Sequence, residues 1–226
     1  MWGYSTSSTL RRMTRSTPIW FTWLFRLRPP ARLLSGLLSG LLSGLVALFC
    51  LAGPSLAATY DIDPAHTFAT FEIGHFGTST NRGRFDKKEG TLQFDRAAKT
   101  GKIDIDIYTG SINTGTVFFD KFLTSFNLFD AATFPTAKFV SDKFNFEGDK
   151  VVSVNGNFTL LGKTNPMTLT ATNFNCYAHP LLKREVCGGD FETTLDRSQY
   201  GMNYGLIFGF SKNVHLLIQV EAIKQP

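Results

Sequence analysis

The side chains able to do chemistry in this 226-residue chain are few and scattered. His66 precedes the apolar run FATFEIGHF and His75 lies near its end, on opposite faces of the strand it forms, while His179 and His215 lie far away in sequence. No CxxC or HExxH spacing accompanies them, so no metal site is expected. Nucleophilic catalysis also lacks a template: there is no Gly-x-Ser-x-Gly elbow and no cysteine with a paired base. Asp104 and Asp106 share one face of KIDIDIY, but the isoleucines between them assign that face to water. No catalytic residue is expected. An enzyme acting on a lipid in an internal cavity stays as the alternative class.

Cys176 and Cys187 bracket YAHPLLKREV, read as the loop between two strands. In an exported domain such a pair is expected to be a disulfide. Closing a loop of this size stabilises by about 3 kcal/mol on the chain-entropy model. A redox pair or two free thiols are the alternatives.

Export is read from the first 57 residues. They contain six arginines and no acidic residue, then the uncharged stretch LLSGLLSGLLSGLVALFCLA, then Gly53-Pro54-Ser55-Leu56-Ala57. A basic segment, an apolar segment and a small-residue exit make a secretory signal, with the cut expected after Ala57 and the periplasm as destination. An uncut leader would be a membrane anchor. Without the leader, 17 basic residues face 18 acidic ones, so the basic excess belongs to the leader. Nucleic acid is therefore not an expected partner. Residues 58–226 suffice for one core and are short for two.

These residues read as strand after strand. Phe68–Phe76, Thr91–Asp95, Lys102–Tyr108, Lys138–Phe146, Val151–Leu161, Met167–Phe174, Phe191–Leu195 and Val214–Ile223 are rich in β-branched and aromatic residues. Turn signals such as Glu147-Gly148-Asp149 separate them. One helix is expected at Val117–Ser125, with Val117, Phe118, Lys121 and Phe122 on a shared face. Eight antiparallel strands fit a sandwich or a closed barrel equally well. If charged residues face out, Ala69, Phe71, Ile73, His75, Leu92, Phe94, Ile103, Ile105, Ile107, Phe158, Leu160, Met167, Leu169, Phe191, Leu195, Leu216, Ile218 and Val220 face in. That interior is Phe-rich and almost wholly apolar.

Several segments together resemble the YceI-like family of exported lipid-binding proteins. Tyr60-Asp-Ile-Asp-Pro-Ala-His66-Thr67 with Phe71-x-Ile73-x-His75-x-Gly77 resembles its first strand. Gly83-Arg84-Phe85 and Gly90-Thr-Leu-Gln-Phe-Asp95 resemble its second hairpin. Ser111-Ile-Asn-Thr114, Asp120-Lys-Phe-Leu123, Phe129-Asp130 and Phe134-Pro135 match its central region, and Asp196-Arg-Ser-Gln-Tyr-Gly-Met202 its late signature. The order is the family's, from residue 60 to about 204. One departure is clear: a family Thr-x-His-Gly turn is here Thr159-Leu-Leu-Gly162, so no role of that histidine carries over.

The resemblance implies an all-β, lipocalin-like barrel of eight antiparallel strands with one short helix. It also implies a polyisoprenoid or similar long amphiphile, such as a quinone, held as cargo with no cofactor. Phe71, Ile73, Phe94, Ile105, Phe158, Leu169, Phe191 and Leu216 are the candidate lining residues. His75, near a strand end, is the candidate contact to a quinone or alcohol head. A third reading makes the chain a lipid-filled module that meets a membrane redox partner.

Overall fold

A computed structural model of the chain describes residues 57–226. The expected leader, its cleavage site and its apolar run at residues 1–56 lie outside the described residues. Eleven hydrogen-bonded strands follow: β1 (Ala58–Ile62), β2 (Phe68–His75), β3 (Ser79–Phe85), β4 (Lys88–Asp95), β5 (Thr100–Tyr108), β6 (Ile112–Asn113), β7 (Thr136–Glu147), β8 (Lys150–Leu160), β9 (Lys163–Ala178), β10 (Glu185–Asp196) and β11 (Asn213–Lys224). One α-helix, α1 (Val117–Leu123), stands between β6 and β7.

The eleven segments make an eight-stranded closed antiparallel barrel. β1 and β2 run end to end along β11, β3 and β4 run end to end beside them, and β5 and β6 continue the pattern. β7 to β10 follow in sequence order, and β11 closes on β1. Closure pairs the edges that an open sheet would expose to other chains. It also decides between the sandwich and the barrel that the alternation alone left equal.

Bulges keep the apolar faces pointing inward. In β7, Val140 pairs with Asn157 but Lys143 pairs with Asn155, so β7 carries one extra residue. Strict alternation would send Phe139 and Phe144 to opposite faces; the extra residue restores both to the interior. The Ser141 hydroxyl secures the irregularity, donating to the Asn155 carbonyl at 2.6 Å and accepting from the Lys143 N–H at 3.0 Å. Pro166 sits in β9 beyond Thr170, where pairing with β10 stops, so its missing N–H breaks no ladder bond on that side.

The two halves of the barrel are filled differently. At the end holding the β4–β5, β7–β8 and β9–β10 turns, inward rings pack solid. Phe94 lies 5.9 Å from Phe146, 5.7 Å from Phe174, 6.3 Å from Phe144 and 6.5 Å from Tyr60, ring centre to ring centre. Gly101 permits this, because a Cβ there would stand 2.6 Å from the Phe144 ring. Cys176 and Cys187 face each other in register on β9 and β10, with Cα atoms 4.1 Å apart, and are joined as a disulfide. The strands run past the cysteines on both sides, so the true loop is shorter than the cysteine spacing implied.

Candidate functional site

The other half of the barrel is open. Its lumen is a cavity of about 320 Å³, lined almost entirely by apolar side chains. Six strands supply most of the lining: Phe71 and Ile73 from β2, Ile105 and Ile107 from β5, Phe139 from β7, Phe158 and Leu160 from β8, Leu169 from β9, and Leu216 from β11. The volume falls at the low end of small-molecule sites, which are concave, mostly apolar and marked by a few polar groups. Gly83 shapes the wall: its Cβ would lie 2.5 Å from the Phe71 ring, which occupies that place instead.

Of the nine residues expected to line a ligand, seven border the cavity: Phe71, Ile73, His75, Ile105, Phe158, Leu169 and Leu216. Phe94 and Phe191 are buried among the residues of the solid half and do not line it. Both belong to the interior, as alternation required. Their height along the barrel keeps them from the lumen, and a period of two carries no information about height.

Three of the four histidines have ordinary surface roles. His66 Nδ1 lies 2.6 Å from the Asp63 carboxylate in the β1–β2 bend. His179 accepts from the Leu181 and Leu182 N–H groups, both at 3.2 Å, and so shapes the β9–β10 turn. His215 stands on the outer wall between Glu72 at 3.8 Å and Glu192 at 3.5 Å. His75 differs. It ends β2, borders the lumen and stacks edge-on against Phe76 at 4.9 Å, with Phe210 at 5.6 Å. Its ring makes no hydrogen bond among the described residues. Asn81, two residues from the β2–β3 turn, borders the same cavity. Asp104 and Asp106 lie outside, as expected, where Lys138 bridges them at 2.5 and 3.3 Å.

The closing side of the lumen comes from two connections that alternation could not assign. In α1 it is Phe119, Phe122 and Leu123 that border the cavity. Val117 and Phe118 are 84% and 83% exposed, which corrects the expected helix face. The helix is a short two-turn segment started by Thr116, and it packs by its C-terminal half. The β10–β11 connection adds Met202, Tyr204 and Phe210. Arg197 holds that connection in place. Buried to 3% exposure, its guanidinium donates to the carbonyls of Ser211 at 2.9 Å, Met202 at 2.8 Å and Tyr204 at 2.9 Å. Burial pushes its pKa down, with Asp196 opposing, and the group stays charged because it starts so high. The Asp196 carboxylate accepts from the Ser198 hydroxyl at 2.6 Å and from Lys212 at 2.9 Å, and these bonds hold its pKa down at about 2. The late signature thus acts by building the wall.

The connections at this end also carry exposed apolar side chains: Phe76, Val117, Phe118, Phe126, Ile207 and Phe208. Phe76 adopts a positive φ of 52°, rare for an aromatic residue, and its ring leans on Phe210 at 4.6 Å. From Ser198 to Ser211 there is no charged residue. Together these side chains give this end of the barrel an apolar rim.

The YceI-like domain model matches residues 60–222. The chain belongs to the YceI-like family. A UPF0312 protein of Pseudomonas putida is 34% identical over 177 residues, covering 77% of this chain and 91% of that protein. Among solved structures, BcnA of Burkholderia cenocepacia superposes with a TM-score of 0.60 at 21% identity, covering 71% of this chain and 99% of that one. A polyisoprenoid binding domain from Saccharophagus degradans gives a TM-score of 0.57 at 17% identity, covering 76% and 100%. At these identities the structural likeness establishes the barrel fold.

Proposed function

We propose that this YceI-like chain is a periplasmic binding protein that carries a long isoprenoid-type amphiphile, such as a polyisoprenoid alcohol or a quinone, in its lumen. The observation that carries the reading is the apolar cavity of about 320 Å³ in one half of the barrel, beside a half in which the inward rings pack against one another. A core that merely stabilised the fold would gain by filling that space. The polyisoprenoid binding domain with the same fold supports the cargo class, and the disulfide supports an oxidising compartment.

Transfer from a bilayer into the lumen moves a tail between two apolar media, so the burial gain of about 0.8 kcal/mol per CH₂ largely cancels. Shape and head-group contacts must select the cargo. His75 and Asn81 offer hydrogen bonds to a neutral hydroxyl or carbonyl head. The apolar rim supports loading at a membrane surface, where a redox partner would meet a quinone cargo. The cavity lining holds no Asp, Glu, Ser or Cys among the described residues, which favours carriage over catalysis in the same lumen.

Organic extraction of purified wild-type protein and a Leu169→Trp variant tests the reading. Wild type yields a long-chain lipid near one per protein, and the indole, filling the lumen, removes it. Equal lipid content in both, or none in wild type, refutes carriage in the lumen. His75→Ala with unchanged lipid content and head-group preference removes the polar role of His75.

A further inference from the structure

One polar side chain in the lumen wall is not explained by packing. Lys88 opens β4 on the same face as Leu92 and Phe94, so its stem runs inward, and it is 5% exposed. It borders the cavity. An ammonium has three donors. Lys88 makes one hydrogen bond, at 3.3 Å to the Asp86 carbonyl, and its Nζ stands 4.3 Å from the centre of the Phe68 ring.

The carboxylates near it are engaged elsewhere. Asp86 accepts from Arg84 at 2.7 Å and from Asn113 at 2.8 Å, and Asp63 is bound to His66 at 2.6 Å. Lys88 forms no salt bridge among the described residues. A buried charge is normally paired, because its lost hydration must be replaced. Burial pushes the Lys88 pKa down; Asp86 and Asp63 oppose the shift and Arg84 adds to it.

The wall is also interrupted at this level. β1 pairs with β4 only through Asp61 and Thr91, and β2 meets β3 from Ala69 and Phe85 onward. Between those points the β1–β2 and β3–β4 bends face each other without a ladder. An ionised head group there would meet the ammonium and the wet bend together.

We propose that Lys88 is the head-group receptor of the lumen and that the cargo is an anionic amphiphile, with a carboxylate or phosphate on a long apolar chain. This rests on the carrier reading above, keeps its long apolar chain in the lumen, and replaces the neutral head at His75 with an ionised head at Lys88. Phe68, whose ring lies under the Lys88 ammonium, opens β2 and His75 ends it, so by strand rise His75 lies about 23 Å along the lumen from an ionised head at Lys88.

Fluorescence titration with cis-parinaric acid and its methyl ester tests both claims. The two probes share a chain and differ in charge at neutral pH. Wild type binds the acid about tenfold more tightly than the ester, a difference expected of a charge-assisted contact. Lys88→Met abolishes the difference between the probes by weakening the acid more than the ester, and Lys88→Arg keeps it. A purely structural Lys88 would move both probes together. Equal affinities in wild type, a comparison that needs no variant, overturn the Lys88 assignment and leave the carrier reading standing. So does a preference that survives Lys88→Met. Failure of both probes to bind wild type overturns both.

Discussion

Truncating Phe94 and Phe158 to alanine separates the filled half of the barrel from the open half. Phe94 is 3% exposed and has rings on four sides, so its removal leaves a hole its neighbours cannot fill. An enclosed Phe→Ala change costs about 3–5 kcal/mol, so about 4 kcal/mol is expected. Phe158 is 7% exposed, but it borders a cavity that already exists and meets Tyr200 at 5.7 Å. Its lumen side has few contacts to lose, so about 2 kcal/mol is expected. For a domain of this size these losses lower Tm by about 12 °C and about 6 °C. Delipidated protein, unfolded by urea and by heat with matched probes, gives both values. Equal losses would mean that the lumen collapses into an ordinary core without cargo, and the distinction between the halves would be lost.

Other outcomes follow from the same geometry. Replacing both Cys176 and Cys187 by serine lowers stability by about 3 kcal/mol, read by denaturant unfolding, and leaves lipid binding intact because the bridge lies in the solid half. Asp196 has a folded pKa near 2, held down by Ser198 and Lys212. Its stabilising contribution is therefore complete above the unfolded carboxylate pKa of about 4 and is lost as pH falls towards 2. Asp196→Asn should flatten that acid limb of the stability profile; an unchanged profile refutes the assignment. Phe118→Ser with Phe208→Ser removes two exposed rim side chains and should slow lipid transfer from vesicles about tenfold without changing affinity at equilibrium. Unchanged transfer would take the rim out of the loading route.

The interior was largely legible because it obeys a period of two. Alternation points Phe71, Ile105, Phe158 and Leu216 inward, and all four border the lumen. Phe94 and Phe191 passed the same test and belong to the solid half, because alternation fixes a face and leaves height undetermined. Height depends on closure and on where rings such as Phe144 and Phe146 converge. The β7 bulge illustrates the limit: Phe139 enters the lumen wall while Phe144 enters the plug, and the phase change between them shows only in pairing. The lid side was least legible. Phe119, Phe122, Tyr204 and Phe210 lie in irregular connections, where spacing has no fixed meaning. Lys88 had a readable signal, a lysine on the inward parity of Leu92 and Phe94, but sequence reasoning assumes that charge faces water.

Native mass spectrometry of the purified protein, without added lipid, tests the central claim most directly. The account predicts a single mass increment of one long-chain lipid per chain, lost on organic extraction and regained on incubation with that lipid. A population at the bare polypeptide mass that takes up no long-chain lipid would contradict it.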